Sequence, residues 1–252
     1  MSIIVKSAEE IALMREAGKI TAEVLNILTG QIMAGMKTKE LDVIAAREAV
    51  KRGATPSFKG YRGYPASLCV SINDEIVHGI PGNRVIREGD VVSLDFGVIY
   101  KGFQGDAATT VGVGEVEPRA RALMDAGRGS LEAGIRAARE GNRLGDISSA
   151  IQKHAEFMGF SVVREYTGHG IGREMHEDPL VPNFGVPGTG PVLKKGMTLA
   201  LEPMLNAGDF RTCTMPDGWT VRTADGSLSV HYEHTVAITD GDAEVLTRPI
   251  YA

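Results

Sequence analysis

The sequence predicts an α+β fold in which two similar halves surround one sheet. Two segments with the helical spacing of apolar residues precede a run of strand-like segments, and this order then repeats. Because the helices come in pairs between runs of strands, the regular alternation of a doubly wound sheet is disfavoured. With 252 residues, 43% of them hydrophobic, the chain can bury one large core. We therefore expect a single domain over residues 1–252, with halves of roughly 1–112 and 113–252.

Four helices are expected, because capping side chains and glycines mark their ends. Ser7 and Glu10 form a capping box at the start of the first helix. The later helices begin near three further residues: Thr38, Glu117 and Asp146. A glycine can end each of the four: Gly30, Gly53, Gly141 and Gly159.

Strands are predicted where β-branched residues alternate with other types between turn glycines. In the first half these segments are ASLCVSI, VVSLDFGVIY and FQGDAATTVGV. In the second half they are SVVREYT, MTLALEP and SLSVHYEHTVAIT.

Charge and cysteine content narrow the class of protein. The net charge is -5 and both signs are interspersed, which argues against a basic face for nucleic acid or anionic membrane. Charges begin at Lys6, and no apolar run is long enough to span a membrane, so we expect neither a signal peptide nor a membrane segment. Two cysteines fit a reducing compartment rather than a disulfide scaffold, so we expect a cytoplasmic protein.

The stretch VVSLDFGVIYKGFQGDAATT predicts a hairpin with its turn at Lys101-Gly102. In that register Asp95 faces Ala108, and Asp106 lies diagonally on the same face. Diagonal neighbours are about 7–8 Å apart, and two carboxylates aimed at one point repel each other unless a cation lies between them. Metal ions about 3.5–4 Å apart would fit there. The alternative that these residues leave open is a pair of unrelated surface aspartates.

Further candidate ligands lie in apolar surroundings. Glu202 lies in MTLALEPML and Glu233 in SLSVHYEHTVAI, although carboxylates are rarely buried unless they are paired or bind a metal. A salt bridge to an arginine is the alternative for each. His169 is flanked by glycines in YTGHGIG, which lets the backbone approach a site closely. One imidazole with four carboxylates favours Mn²⁺, Fe²⁺ or Co²⁺, with Zn²⁺ also allowed.

The remaining histidines differ in what their positions predict. His78 and His176 lie at predicted element ends, where catalytic side chains are often found. His234 should point away from Glu233, because strand neighbours alternate between faces. By the same alternation His231 shares the face of Glu233, about 6.5–7 Å along the strand. There it would hydrogen-bond a metal ligand or contact the substrate, and a solvent-facing His231 is the alternative.

Other hydrolase and nucleotide-binding motifs are absent from the sequence. No second histidine follows His176-Glu177 by one helical turn, which excludes a zincin helix. There is no GxSxG elbow, and NFGVPGTGPVLKKG lacks the ending of a phosphate-binding loop. Cys69 lies in an apolar segment, where a thiol is usually inert.

Taken in order, the motifs resemble the type I methionine aminopeptidases. The match runs through GYPASLCVSINDEIVHGIP, then Asp95 and Asp106 eleven residues apart, then TGHGIG, HEDP, LEP and YEHT. The resemblance implies the pita-bread fold, a pseudo-twofold α/β sandwich with a central, largely antiparallel curved sheet and helices on its outer face. It also implies a dinuclear centre and, because the chain is short, the bacterial-type form.

The resemblance also assigns roles to residues of this sequence. The implied metal ligands are Asp95, Asp106, His169, Glu202 and Glu233. The implied catalytic residues are Glu202 and two histidines that contact substrate without binding metal, His78 and His176. The implied lining of the pocket for the methionine side chain is Tyr61, Tyr64, Cys69 and Trp219. Met175, just before His176, is counted with the substrate-binding residues.

The implied activity is removal of the N-terminal methionine from nascent polypeptides whose second residue is small. The implied cofactors are two divalent ions, and the implied partners are nascent chains, with docking at the ribosome exit left open. We expect a monomer. Phe58, Met175 and His231 depart from the usual family pattern, which affects fine specificity rather than the presumed ligands.

Two alternatives remain beside this interpretation. The first is a proline-directed peptidase of the same fold, such as aminopeptidase P or prolidase, although those enzymes usually carry an extra N-terminal domain. The second is a non-catalytic binding protein of this fold, although such relatives usually lose metal ligands.

Overall fold

The first helix begins where the capping box predicts. The computed structural model describes residues 2–248. In it the Glu10 N–H donates to Ser7 Oγ at 3.3 Å, and the Ser7 N–H donates to Glu10 Oε2 at 3.0 Å. The helices are α1 (Ala8–Gln31), α2 (Thr38–Lys51), α3 (Pro118–Ala137) and α4 (Leu144–Phe157), with a 3₁₀ turn at Tyr61–Gly63. None of the helices in the described part of the chain is both long and apolar enough to cross a membrane.

Two predicted helix caps are wrong by one or more positions. Thr38 is the first residue of α2 rather than its cap, and its hydroxyl accepts the N–H of Gly82 at 2.7 Å. Asp146 is the third residue of α4, and its carboxylate reaches back to accept the N–H of Arg143 at 2.7 Å. This helix therefore starts earlier than the aspartate suggests, because the side chain caps the turn from inside it.

The strands are short except for one long pair. In chain order they are β1 (Thr55–Pro56), β2 (Cys69–Ile72), β3 (Glu75–Val77), β4 (Val91–Tyr100), β5 (Phe103–Gly112), β6 (Ser161–Val162), β7 (Thr167–Gly170), β8 (Glu177–Pro182), β9 (Thr198–Leu201), β10 (Met204–Asn206), β11 (Thr212–Thr214), β12 (Val221–Thr223), β13 (Ser229–His231), β14 (Glu233–Ala237) and β15 (Glu244–Val245). Of the segment SVVREYT, only β6 and the first residue of β7 are strand, so the prediction of one strand there is wrong.

One sheet of nine strands dominates, and all of its assigned pairs are antiparallel. The strand order is β1-β4-β5-β14-β9-β7-β8, with β2 also on β4 and β15 also on β14. Two smaller sheets have the orders β13-β10-β6 and β11-β12-β3. The prediction of an α+β fold with a largely antiparallel sheet is confirmed.

The predicted hairpin is β4–β5, and its register is confirmed. Lys101 and Gly102 form the turn with φ of 48° and 81°, and left-handed values at both turn residues suit a two-residue hairpin loop. Asp95 pairs with Ala108, as predicted, and Asp106 pairs with Gly97.

Alternation along the strands separates a helix-covered face from the face that carries the acidic residues. Leu94 and Phe96 of β4 belong to an apolar core with α1 and α2. Leu199 of β9 and Val236 of β14 belong to a second core with α3 and α4. Because strand neighbours point to opposite faces, Asp95 lies on the face away from these helices.

Close packing of α1 on the sheet depends on glycine. A Cβ added to Gly105 of β5 would lie 2.6 Å from the backbone N of Gly18 in α1. Thr21 strengthens the same contact by donating its hydroxyl to the Gly105 carbonyl at 2.9 Å. The helix therefore rests directly on the strand that carries Asp106.

Two predicted strands are interrupted near the acidic residues. The segment SLSVHYEHTVAIT forms β13 and β14, which belong to different sheets, and Tyr232 separates them. The prediction of one continuous strand is therefore wrong, and strand alternation does not relate His231 to Glu233. Similarly, β9 ends at Leu201, so Glu202 lies in the connection to β10 and not inside a strand.

Candidate metal centre and substrate pocket

Strand pairing brings three carboxylates from neighbouring strands onto one face of the sheet. Asp95 of β4 is opposite Ala108 of β5, which is opposite Glu233 of β14. Asp106 lies two residues along β5 from Ala108. Thr235 of β14 secures its backbone, accepting the Asp106 N–H at 3.1 Å and donating its hydroxyl to the Asp106 carbonyl at 2.8 Å. The methyl group of Ala108 leaves open space between the carboxylates.

The remaining two predicted ligands come from the adjoining strands. His169 of β7 is opposite Ala200 of β9, which in turn is opposite Thr235. Glu202 follows Ala200 by two residues, and its Oε1 lies 3.5 Å from the Nε2 of His169. The structure therefore brings all five predicted ligands together, with small side chains between them.

A glycine opposite Asp106 keeps the site open. A Cβ added to Gly97 would lie 3.1 Å from Asp106 Oδ1 and 3.2 Å from the terminal methyl of Met175. Such contacts are tighter than ordinary van der Waals packing. The hairpin can hold Asp106 in this position because its partner residue has no side chain.

Several oxygen atoms of the candidate ligands have no hydrogen-bond partner in the described part of the chain. Atoms of Asp106, His169 and Glu233 lie within 4.8 Å of one another, close enough to share one ion. The oxygens Asp95 Oδ1, Asp106 Oδ1 and Glu233 Oε1 are buried and accept no hydrogen bond from residues 2–248. Within residues 2–248, no lysine or arginine forms an ion pair with any of the four acidic candidates, Asp95, Asp106, Glu202 and Glu233. A salt bridge therefore does not explain the burial of the acidic groups.

The raised pKa values of the acidic residues indicate that the site suits a cation. Burial raises the pKa of Asp106 to about 7. Burial, followed by the charge of Asp106, raises the pKa of Asp95 well above its ordinary value. The pKa values of Glu202 and Glu233 are raised by burial and then by the neighbouring carboxylates. Because divalent ions relieve both the desolvation and the repulsion, these residues fit a metal centre.

His169 presents the correct nitrogen to such a centre. Its Nδ1 donates to the carbonyl of Gly170 at 2.9 Å, which leaves the lone pair on Nε2. Burial, then the neighbouring His176, lowers the pKa of His169 to about 3, so its imidazole is neutral at physiological pH. A neutral imidazole is the form that binds metals.

The predicted ligands and the predicted substrate contacts other than His231 line one pocket, which has about 670 Å³ of empty space when the open solvent at its mouth is included: Tyr61, Tyr64, Cys69, His78, Asp95, Asp106, His169, Met175, His176, Glu202, Trp219 and Glu233. Phe58 and Arg62 also line it. The individual roles of these residues remain predictions.

His176 stands beside the ligands at the edge of the pocket. Its ring centroid lies 4.3 Å from that of His169, and its Nδ1 is 2.8 Å from the hydroxyl of Tyr61. Burial, followed by the charge of Arg62, lowers the pKa of His176 to about 4. A neutral His176 whose Nδ1 accepts from Tyr61 carries its proton on Nε2 and can donate it to a substrate.

His78 occupies a constrained backbone position directly after β3. Its φ is 59°, a left-handed value that is uncommon for residues other than glycine and that often marks functional sites. Its ring meets those of Tyr166 and Trp219 edge-on, with centroids 5.9 and 6.3 Å away. Burial and then His176 lower the pKa of His78 to about 4, so it too is neutral.

The other side of the pocket is apolar. Tyr64, Cys69 and Trp219 form one cluster, in which the Tyr64 and Trp219 rings meet edge-on at 5.1 Å. The Tyr64 hydroxyl donates to the carbonyl of Gly79 at 3.0 Å, which fixes the ring. Cys69 pairs with Asp95 across β2 and β4, and burial raises the pKa of its thiol. The thiol is therefore a small apolar group and not a nucleophile.

His231 is near the centre for a different reason from the one predicted. It lies in β13 opposite Met204, is 2% exposed, and its Nε2 is 3.7 Å from Glu202 Oε2. Among the residues that the structure describes, this Nε2 has no hydrogen-bond partner. The solvent-facing alternative is thus wrong, and the side chain faces Glu202 and not Glu233. His234 points elsewhere, with its Nδ1 2.8 Å from the Thr247 hydroxyl.

Sequence reasoning missed Arg62. This exposed residue lies in the 3₁₀ turn with φ of 49°, and its guanidinium lies 5.3 Å from the ring centroid of Tyr61. The available signal was its position in GYRGY, between two tyrosines assigned to the pocket.

The chain is similar in sequence and in fold to known proteins. Metallopeptidase family M24 matches residues 12–240. The methionine aminopeptidase of Clostridium perfringens is 54% identical over 245 residues, which cover 97% of this chain and 98% of that protein. The crystal structure of methionine aminopeptidase from Thermotoga maritima has a TM-score of 0.97 at 47% identity, with 98% of this chain and 100% of that chain covered.

A more distant likeness concerns the fold alone. The prolidase of Pyrococcus horikoshii has a TM-score of 0.79 at 22% identity, and the match covers 98% of this chain but 64% of the prolidase. Together with the Thermotoga structure, it confirms the pita-bread fold.

Proposed function

The chain belongs to metallopeptidase family M24, and from this membership we propose that it acts as a bacterial-type methionine aminopeptidase. It removes the N-terminal methionine from polypeptides whose second residue is small. The observation that carries the proposal is that five metal-ligand candidates, three of them buried and two half-buried, lie in one pocket with an apolar cluster of side chains. The 54% identity to a methionine aminopeptidase over nearly the whole chain supports the same activity.

Asp95, Asp106, His169, Glu202 and Glu233 would hold two divalent ions. Oxygen-rich ligands with one imidazole favour Mn²⁺, Fe²⁺ or Co²⁺ and allow Zn²⁺. When bound, such ions polarise the scissile carbonyl and lower the pKa of the attacking water.

The protein's own residues supply the proton transfers and the positioning. A carboxylate oxygen of Glu202 takes a proton from the attacking water and returns one to the leaving amine. His176 donates from Nε2 to the developing oxyanion, which is worth about 3–4 kcal/mol for one such donor. His78, held by its backbone and the flanking rings, positions the scissile amide.

The apolar side of the pocket selects the first residue of the substrate. An unbranched thioether can lie along Cys69 and the faces and edges of Tyr64 and Trp219, where sulfur–aromatic contacts are favourable. Met175 and Phe58 narrow the space near Gly97, which is where we expect a large second residue to be refused.

Nascent chains are the proposed substrates, and we expect a monomer that works in the cytoplasm, with or without docking at the ribosome exit. Both cysteines are free thiols, which fits a reducing compartment. Neither alternative raised by the sequence is favoured: the prolidase likeness extends only to the fold, and all five ligand candidates are present.

The test is a peptide assay with metal-reconstituted protein. The metal-free chain is loaded separately with Co²⁺, Mn²⁺ and Fe²⁺ and is given Met-Ala-Ser, Met-Leu-Ser and Ala-Pro-Ala. We expect cleavage of Met-Ala-Ser, with the other two peptides cleaved at least about a hundredfold more slowly. Preferential cleavage of Ala-Pro-Ala would instead identify a proline-directed peptidase. No turnover with any of the three metals would contradict the proposed function.

A further inference from the structure

A buried ion pair outside the metal centre joins the N-terminal segment to the loop that carries His176. The ammonium of Lys6 contacts Oε2 of Glu177, and the two side chains are 2% and 5% exposed. Lys6 Nζ also donates to the carbonyl of Ile4 at 3.3 Å. Burying two charges gives little net stability, so the pair is better explained by the structure that it holds in place.

The second oxygen of Glu177 holds the loop. Glu177 Oε1 accepts the backbone N–H of Arg173 at 3.0 Å and that of Glu174 at 3.3 Å. A Cβ added to Gly172 would lie 2.4 Å from Lys6 Cε and 2.5 Å from Glu177 Oε1. The loop therefore folds tightly around one carboxylate, and a side chain at Gly172 would have to displace the ion pair.

Lys6 is itself anchored to the strand that leads to Glu202. Its N–H donates to the carbonyl of Gly196 at 2.8 Å, and Val5 forms an antiparallel bridge with Met197, the residue before β9. The ammonium thus links this strand to Glu177 at the start of β8.

His176 lies between Glu177 and Met175, which is 2% exposed. The inner side of the His176 imidazole packs on Tyr61 and His169, while the residue as a whole is exposed to solvent, so the backbone of the loop must be held from elsewhere. We propose that Lys6 and Glu177 are positioning residues that hold the loop so that the His176 imidazole stays between Tyr61 and His169. This inference rests on the proposed function of the pocket.

A double-mutant cycle tests the proposal. Lys6→Met is made in the parent and in the His176→Ala background, and kcat and KM for Met-Ala-Ser are measured with metal content checked. In the parent we expect kcat to fall about ten- to a hundredfold, the scale of a small misplacement, with KM within about twofold and metal content unchanged. In the His176→Ala background the same substitution should change kcat by less than about twofold, because its effect passes through His176.

A second variant separates positioning from folding. Lys6→Met leaves a buried, unpaired carboxylate, whereas Lys6→Met with Glu177→Gln removes both charges and keeps an oxygen to accept the two loop N–H groups. We expect this double variant to recover kcat to within about threefold of the parent. Arg15→Met is the control: it breaks the exposed ion pair between Arg15 on α1 and Glu244 on β15, and it should leave kcat unchanged.

Three results would overturn the inference: an unchanged kcat in Lys6→Met, an equal loss in both backgrounds, or a folded double variant that stays as slow as Lys6→Met. Inactivity of the parent on Met-Ala-Ser would count against the proposed function instead. An active parent with an additive cycle would count against the positioning role alone.

Discussion

At the scale of single residues, His231 is placed to influence the proton transfer that we assign to Glu202. Its Nε2 is buried, has no hydrogen-bond partner within the described range 2–248, and lies 3.7 Å from Glu202 Oε2. It is therefore placed to donate to the carboxylate that we assign to proton transfer. His231→Gln keeps a donor and should leave kcat/KM within about threefold, whereas His231→Leu should lower it about tenfold or more, because the carboxylate loses its donor.

Activity and metal affinity of both His231 variants are measured together. Equal activity in the two variants, close to that of the parent, would leave the imidazole without a role in the reaction.

The position of Arg62 predicts a preference for negative charge at the third residue of the substrate. Its side chain is exposed at the pocket, and no ion pair within residues 2–248 neutralises it. We expect Met-Ala-Asp peptides to be cleaved about three- to fivefold better than matched Met-Ala-Lys peptides at low salt, with the difference shrinking at high salt.

The preference should disappear in Arg62→Gln and persist in Arg136→Gln, which removes an exposed arginine at the end of α3. A preference of the same size in both variants would show that Arg62 does not contact the substrate.

At the scale of elements, the contact between α1 and β5 supports the hairpin that carries Asp95 and Asp106. Gly105→Ala should cost about 1–3 kcal/mol or more of unfolding free energy, because the new methyl group would meet the backbone of Gly18 at 2.6 Å and the helix would have to move. Thermal or urea unfolding of the metal-free protein measures this.

Gly30→Ala is the matched control, since it lies near the end of the same helix with nothing within 4 Å of the added Cβ. It should be neutral or slightly stabilising, as alanine is the better helix former. Equal stability of the Gly105 and Gly30 variants would mean that α1 does not need this close approach.

At the scale of the whole molecule, the metal centre costs stability until cations bind. In the folded protein the pKa of Asp106 is about 7 instead of 3.8, so folding favours the protonated form. The stability that Asp106 contributes by holding a proton is therefore fully present below about pH 4 and is lost as the pH rises through about 7. In EDTA, Asp106→Asn should become more stable than the parent as the pH rises, by up to roughly 4 kcal/mol.

Urea unfolding from pH 5 to 8 follows this difference. Added Mn²⁺ or Co²⁺ should reverse the order, because ions that bind the folded state stabilise the parent more than a variant lacking a ligand. A difference in stability that does not change between pH 5 and 8 would contradict the elevated pKa of Asp106.

Local patterns in the sequence were enough to predict the parts of the site that lie within one element. The capping box at Ser7, the turn at Lys101-Gly102 and the pairing of Asp95 with Ala108 all depend on residues close together in the chain. The turn at Lys101-Gly102 sets the hairpin register and the side-chain period of two sets the faces, so the placement of Asp106 on the face of Asp95 could be predicted from the sequence. The order of the motifs was sufficient to identify the family.

The contacts that depend on which strands pair were decided by the tertiary structure alone. The break at Tyr232 arises because the chain passes from one sheet to another, and alternation carries no information across such a break. His231 therefore meets Glu202 and not Glu233. The contact between Lys6 and Glu177 joins residues 171 positions apart, and in the sequence each of them looks like an ordinary surface charge. Such contacts form only when segments distant in the chain pack together, and no local pattern encodes them.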